Sequence, residues 1–236
     1  MSLAQDVRER LLDGMRAGRF PGGRLPPEAD LARELGVSRT TVRAALHTLA
    51  EDGIVSRRRR HGTIVNDHML HGSLPLNRLL SFRELVEQSG YVATVDPLVR
   101  RVEVPPPAIA TALGLASDEQ CLVIERLLRA DGVPAITVSD VLPVRWLLMD
   151  PGEVPDTDTT FSLIAASTNA RVDHSVVEIL PRVATRDLPA HLDLPVGAAY
   201  AELREVIFSP LQEPVAFSGI AVDCRRVPLT LVRREA

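Results

Sequence analysis

Arg39, Arg43 and His47 recur every four residues in the run SRTTVRAALHTL, which starts at Ser38, and Thr40 and Thr41 stand beside them. That spacing puts the three cationic side chains on one side of a helix. Further on, Arg57, Arg58, Arg59 and Arg60 form an unbroken run, followed by His61 and Gly62. The chemistry open to such a set is non-covalent. Guanidinium forks at Arg39 and Arg43 suit guanine edges or phosphate oxygens, and the hydroxyls of Ser38, Thr40 and Thr41 suit phosphates. The arginine run and His61 would add a second, mainly electrostatic hold on a nucleic-acid backbone.

Those side chains need a rigid frame, and the flanking residues provide one. Between Glu28 and Leu35, the residues Ala29, Leu31, Ala32 and Leu35 follow the spacing of one helical face. Gly36 then suits the left-handed conformation that ends a helix. Ser38 can cap a second helix with its hydroxyl, and Val42, Ala45, Leu46 and Leu49 form the inward stripe of that helix. After Asp52-Gly53, Ile54 and Val55 read as a strand, Arg57 to Arg60 as a hairpin tip and Thr63 to Val65 as the returning strand. The pattern predicts a winged helix-turn-helix, with its second helix in the major groove and its wing on the adjacent backbone or minor groove. A solvated charged hairpin is the alternative reading of the arginine run.

The segment resembles the DNA-binding domain of GntR-family bacterial transcription regulators in the runs GGRLPPE and LGVSRTTVRAAL, the Asp-Gly turn and the closing HGTIV. The resemblance covers roughly the first quarter of the chain. Pro27 stands where the family usually has a capping Ser, and Pro is well tolerated in a first helical turn. Arg60 replaces a usual wing-tip Gly, leaving Gly62 as the nearby residue free to take positive φ. Ala29 occupies the place of a further DNA-contacting Arg, which shifts weight onto the wing.

A length of 236 residues fits two domains. The expected division is a DNA-binding head over residues 1–66, a linker over 67–78 and a second domain over 79–236. No uninterrupted apolar run approaches the roughly 18 residues of a membrane span, and the charged N-terminus lacks a signal-peptide core. No membrane partner and a cytoplasmic location are expected. Cys121 and Cys224 are too few to imply a disulfide framework. The net charge of −4 hides an asymmetry: residues 1–66 carry 12 arginines against 8 carboxylates, and the remainder 15 against 23. A basic head on an acidic body suits a protein that meets DNA with one end. All 27 basic residues are arginine, which removes Schiff-base and Walker-lysine chemistry and excludes the aminotransferase-like branch of the family.

Asn66 to Leu76 is polar and carries His68 and His71 three apart. No further ligand set completes a metal site with them, so neither metal nor cofactor is expected. Leu79 to Gln88 reads as an amphipathic helix ended by Gly90. Beyond it the chain repeats a helix leading into a β-hairpin, once from Ile109 to Asp140 and again from Leu188 to Asp223. Leu113 and Leu115 correspond to Leu192 and Leu194, and Arg126 to Arg204, at a spacing near 79. Strands over Val95–Val104 and Val172–Val183 complete an α+β domain with about six mostly antiparallel strands.

This arrangement resembles the UTRA effector domain of the HutC branch of GntR regulators, a fold shared with chorismate lyase. The resemblance covers most of residues 80–236, with looser motifs than the head. It implies a small effector held between the two repeats and an arginine at Arg126 on the first hairpin, although a salt-bridged structural arginine fits that position equally well. Sugar-phosphate sensors of the branch carry Arg, Glu, Tyr, Glu and Tyr near positions that here hold Leu128, Val138, Ser162, Ala216 and Val222. Those losses point to an effector less polar than a hexose phosphate, one with a single carboxylate facing Arg126. Ser81, Phe82, Arg83 and Glu178 are further candidate contacts.

A shared fold does not transfer a lyase activity. GxSxG, HExxH and CxxC are all absent, and Glu103, Asp140, Glu178 and Asp223 are scattered over strands. The expected protein is therefore no enzyme. It is a homodimeric regulator, a repressor in the commoner case, that reads a palindromic double-stranded operator under the control of a small molecule. An architectural DNA-binding dimer with a ligand-free second domain is the alternative.

Overall fold

A computed structural model of the chain describes residues 3–58, 62–67, 70, 74–75, 79, 81–187, 189 and 191–230. The chain forms two compact units, one drawing on Met1–Arg78 and Leu229–Ala236 and the other on Leu79–Pro228.

The first unit starts with α1 (Leu3–Arg16), which buries Val7, Leu11, Leu12 and Met15. This helix stands apart from the motif that the sequence pattern announces, and α3 packs on it. α2 (Glu28–Leu35) and α3 (Arg39–Glu51) are separated by Gly36 at φ 70, whose backbone N–H bonds the Ala32 carbonyl. The Ser38 hydroxyl accepts from the Thr41 backbone N–H at 3.1 Å and caps α3. Leu31, Ala32, Val42, Ala45, Leu46 and Leu49 meet the α1 residues in one core.

Beneath α1 lies a buried ion pair. Arg8, 5% exposed, reaches Asp52, 2% exposed, with Nη2–Oδ2 at 3.1 Å. The wing is an antiparallel hairpin of β1 (Val55–Arg58) and β2 (Gly62–Val65), with Val55 opposite Val65 and Arg58 opposite Gly62. Gly62 takes φ 78, the conformation that a side chain would strain. β3 (Leu74–Pro75) is a two-residue strand.

The second unit contains α4 (Phe82–Gln88), β4 (Ala93–Glu103), α5 (Pro107–Ala112), β5 (Cys121–Ala130), β6 (Val133–Pro143), α6 (Thr160–Ser167), β7 (His174–Val183), β8 (Ala199–Phe208) and β9 (Pro214–Val222). Finally β10 (Leu229–Thr230) pairs in parallel with β3, within the first unit. The six long strands form one sheet in the order β4-β5-β6-β9-β8-β7, with every neighbouring pair antiparallel. The two three-stranded repeats thus meet at β6 and β9. One face, bearing Leu122, Ile124, Leu142, Ile207 and Ala216, packs on Leu163 and Ile164 of α6. The other bears Cys121, Val123 and Val141 and packs on Ile109 of α5.

Two details of the repeat differ from expectation. The helix expected over Leu188–Leu194 does not form in the described residues: Pro189 and Leu192 are in bends, and His191 is in a turn at φ 65. Pro189 and Pro195 both lack the N–H that a helix needs. The pairing register also moves the partner of Arg126. Leu128 lies opposite Ile136 and Ile207 opposite Ala216, each just before a bulge at the hairpin end. Aligning the hairpins there matches Arg126 to Glu205 and not to Arg204. A one-residue slip turns a strand side chain to the opposite face: Glu205 is buried, whereas the Arg204 side chain is 44% exposed.

Candidate nucleic-acid interface and effector cavity

On the head, Arg39, Thr40, Arg43 and His47 are exposed along α3, and Thr41 is half-buried beside them. The α3 cap engages the Ser38 and Thr41 hydroxyls, which lie 2.7 Å apart. His47 lies 3.9 Å from Glu51. Arg43 is drawn back to the start of α2, where Glu28 Oε2 accepts from its Nε at 3.1 Å and its Nη2 at 2.9 Å. The other Glu28 oxygen accepts from Arg57 Nη2 of the wing at 2.5 Å. One carboxylate therefore ties recognition helix to wing. The Arg43 hydrogen bond holds the Glu28 carboxyl below its ordinary range against partial desolvation, with the charges of Arg43, Arg57 and Arg39 adding to the effect. Glu28 carries no signal of this role in the sequence, because its partners lie 15 and 29 residues away. Arg58 continues β1, and Arg59, Arg60 and His61 lie outside the described residues, as do His68 and His71. Gly62 opens β2.

On the α6-covered face of the sheet, Ser81, Phe82, Arg126, Leu128 and Val138 come together around a cavity of about 10 Å³, whose wall also includes Asp158, Thr159, Thr160, Phe161 and Glu205. That is room for about one water. Arg126, 3% exposed, forms an ion pair with Asp140, 0% exposed, on the neighbouring strand. Its Nη1 donates to the Thr157 carbonyl at 2.8 Å and to the Thr157 hydroxyl at 3.2 Å. Asp140 Oδ1 accepts from the hydroxyls of Thr160 at 2.8 Å and Ser218 at 2.6 Å. Burial pushes the Arg126 pKa down to about 10, against the pull of Asp158 and Asp156.

The other candidates fall in different places. Arg83 pairs with Asp158 at the cavity wall and with Glu87 one helical turn on. Ser162 completes a capping box with Thr159 at the start of α6. Ala216 belongs to the apolar core under α6. Val222 is fully buried on the cavity's face of the sheet but lies outside its wall. Glu178 lies opposite Arg204 and lines a separate cleft of about 510 Å³, together with Ile109, Glu202 and Phe217. The sequence gives no sign of Thr160 and Glu205 on the cavity wall, or of Asp140 and Ser218 behind Arg126, because strand pairing and the packing of α6 bring them together from four separate elements. Among the described residues no group of three His, Cys, Asp or Glu is arranged to hold a metal, and no helix is long and apolar enough to cross a membrane.

Comparison with known proteins agrees with both halves. The family model for bacterial regulatory proteins of the gntR family matches residues 3–65, and that for the UTRA domain matches residues 88–221. The HTH-type transcriptional regulator Rv0792c of Mycobacterium tuberculosis is 31% identical over 75% of this chain, which spans 65% of that protein's length. The probable fructoselysine utilization operon transcriptional repressor of Escherichia coli is 24% identical, with 95% of this chain and 92% of that protein covered. The solved structure of YydK from Bacillus subtilis covers 100% of both chains with a TM-score of 0.73 at 18% identity, a likeness of fold. A winged head with a cationic α3 and a two-repeat antiparallel sheet, each matched by its own family model, make this chain a DNA-binding transcription regulator of the GntR family, HutC branch, with a UTRA effector domain.

Proposed function

We propose that the protein is a cytoplasmic, homodimeric repressor that releases a palindromic operator when a small molecule enters the cavity at Arg126. The observation that carries this reading is the lining of that cavity. A buried arginine stands among Leu128, Val138 and Phe82, where sugar-phosphate sensors would place further polar anchors. Each missing charge-assisted bond removes roughly 1.5–3 kcal/mol of phosphate affinity, which favours a less polar effector. The repressor named among the relatives supports the direction of control. On the head, Arg39 and Arg43 read base edges, Ser38, Thr40 and Thr41 meet phosphates, and the wing arginines hold the adjacent backbone. The test is fluorescence anisotropy on operator DNA against a metabolite library. A compound that releases the DNA, and loses that effect in the double variant Arg126→Met with Asp140→Asn, supports the proposal; tight binding of glucosamine 6-phosphate would refute the less polar effector.

One observation favours a second reading. The cavity holds only about one water, as expected if the second unit serves dimerisation alone and the chain is architectural. In that case no small molecule changes operator affinity.

A further inference from the structure

Among the described residues, Glu205 is the charged group of the cavity wall that stands without an opposite charge. Its side chain points from β8 to the α6-covered face and the residue is 7% exposed. Arg126 is already matched by Asp140, and Asp158 by Arg83. Glu205 takes a hydrogen bond from Ser175 on β7, and among the described residues that hydroxyl is what offsets its burial. Across the sheet, Asp140, Ser218 and Glu205 stand in one row on β6, β9 and β8. The Ser218 hydroxyl donates to Asp140 and so turns its proton away from Glu205.

A carboxyl in such a place weakens the fold, because burial without a compensating partner is unfavourable. Its neighbours along the same face of β8, Leu203 and Ile207, are apolar and fully buried, and a leucine at 205 would continue their packing. Packing therefore gives no reason for an acid at this position.

We propose that Glu205 receives a protonated amine of the effector, so that this regulator answers to an amine-bearing small molecule and not to a purely anionic one. The proposal rests on the reading of this cavity as the effector site, and it assigns the sign of the charge there. An ammonium group makes charge-assisted bonds to Glu205, and Leu128, Val138, Phe82 and Phe161 give an aliphatic body apolar walls. An anion entering the same space meets Glu205 and has to displace Asp140 from Arg126. The cavity as it stands holds about one water, so the aliphatic body enters only if the half-buried rings of Phe82 and Phe161 turn aside.

The probes are n-alkylamines from propylamine to hexylamine, the matching ω-amino acids and the matching carboxylates, titrated into the full-length chain by calorimetry and followed by thermal unfolding. Amines or amino acids should bind and raise Tm, and carboxylates of the same length should not. Glu205→Gln should weaken binding roughly tenfold or more, and Phe82→Ala, on the cavity wall, should change it as well. Glu205→Met gives the same readout if the Gln variant folds poorly. Failure of every amine and amino acid to bind overturns the proposal. If carboxylates bind, respond to Phe82→Ala and ignore Glu205→Gln, the cavity reading stands and the amine inference falls. If amines bind and ignore both substitutions, they sit elsewhere and both readings fall.

Discussion

Glu28 and Arg43 stand on different helices of the head, yet Glu28 Oε2 takes two bonds from the Arg43 guanidinium, at 3.1 and 2.9 Å. The opposite oxygen holds Arg57 of the wing. The carboxylate that neutralises the two arginines assigned to DNA contact also fixes where they point. Neutralisation lowers affinity for any phosphate backbone, and fixed geometry raises selectivity for the bases that fit. Glu28→Gln should therefore strengthen binding to scrambled duplex DNA while lowering the ratio of specific to non-specific affinity, an effect kept modest by solvent screening of so exposed a pair. Anisotropy on operator and scrambled duplexes reads the ratio directly. An unchanged ratio would remove the positioning role of Glu28.

Arg43 and Arg57 share that carboxylate but should fail differently. Arg43→Ala should cost roughly 1–3 kcal/mol on the operator and relax one base position, as loss of a base contact does. Arg57→Ala should weaken all duplexes alike and shallow the salt dependence by about one unit of slope. The measurement is log affinity against log salt for both variants on two sequences. Equal slopes for wild type and Arg57→Ala would take the wing off the DNA.

The head was legible in the sequence because its signals are local. Gly36 stops α2, Ser38 caps α3, and apolar spacing fixes the buried face, all within a dozen residues. α1 offers no such cap pattern, and its Arg8 meets Asp52 across 44 residues. The cavity was half-legible. Arg126, Leu128 and Val138 lie on one hairpin whose pairing follows from a short turn, so they gathered as expected. Glu178 and Ala216 did not join them, because strand parity sends Glu178 to the opposite face and α6 covers Ala216. The two repeats are out of step by a single residue. The repeated leucines Leu113 and Leu192 are 79 apart, whereas Arg126 and Arg204 are 78 apart, and that difference exchanges a buried Glu205 for an exposed Arg204.

The Arg126–Asp140 pair sets a trap for simple mutagenesis. Removing Arg126 strands Asp140 in the interior, and breaking a buried pair costs about 3–5 kcal/mol. Arg126→Leu should lose that much stability in urea unfolding. The double variant Arg126→Leu with Asp140→Asn should recover much of it, since an amide oxygen still accepts from Thr160 and Ser218. Additive losses in the double variant would show that the two residues do not compensate each other. Effector assays on Arg126 variants need the double variant as control, so that lost binding is not confused with lost folding.

Glu205 gives the fold a pH dependence of definite sign. Burial pushes its carboxyl above the ordinary value of 4.5, partly offset by the hydrogen bond from Ser175. The surrounding groups are Ser175 on β7, Ser218 on β9 and, further along the cavity, the mutually paired Asp140 and Arg126. The folded chain then holds the Glu205 proton more tightly than the unfolded chain does. Its contribution is fully present below the unfolded value and is lost as pH rises through the folded one. Relative to Glu205→Gln, wild type should lose stability as pH rises from below 4.5 and level off once Glu205 is ionised in both states. Paired urea titrations across that range measure the difference, and saturating alkylamine should flatten the loss by stabilising the ionised carboxylate. A difference that stays level with pH and ignores the amine would mean that Glu205 is solvated and holds no ligand.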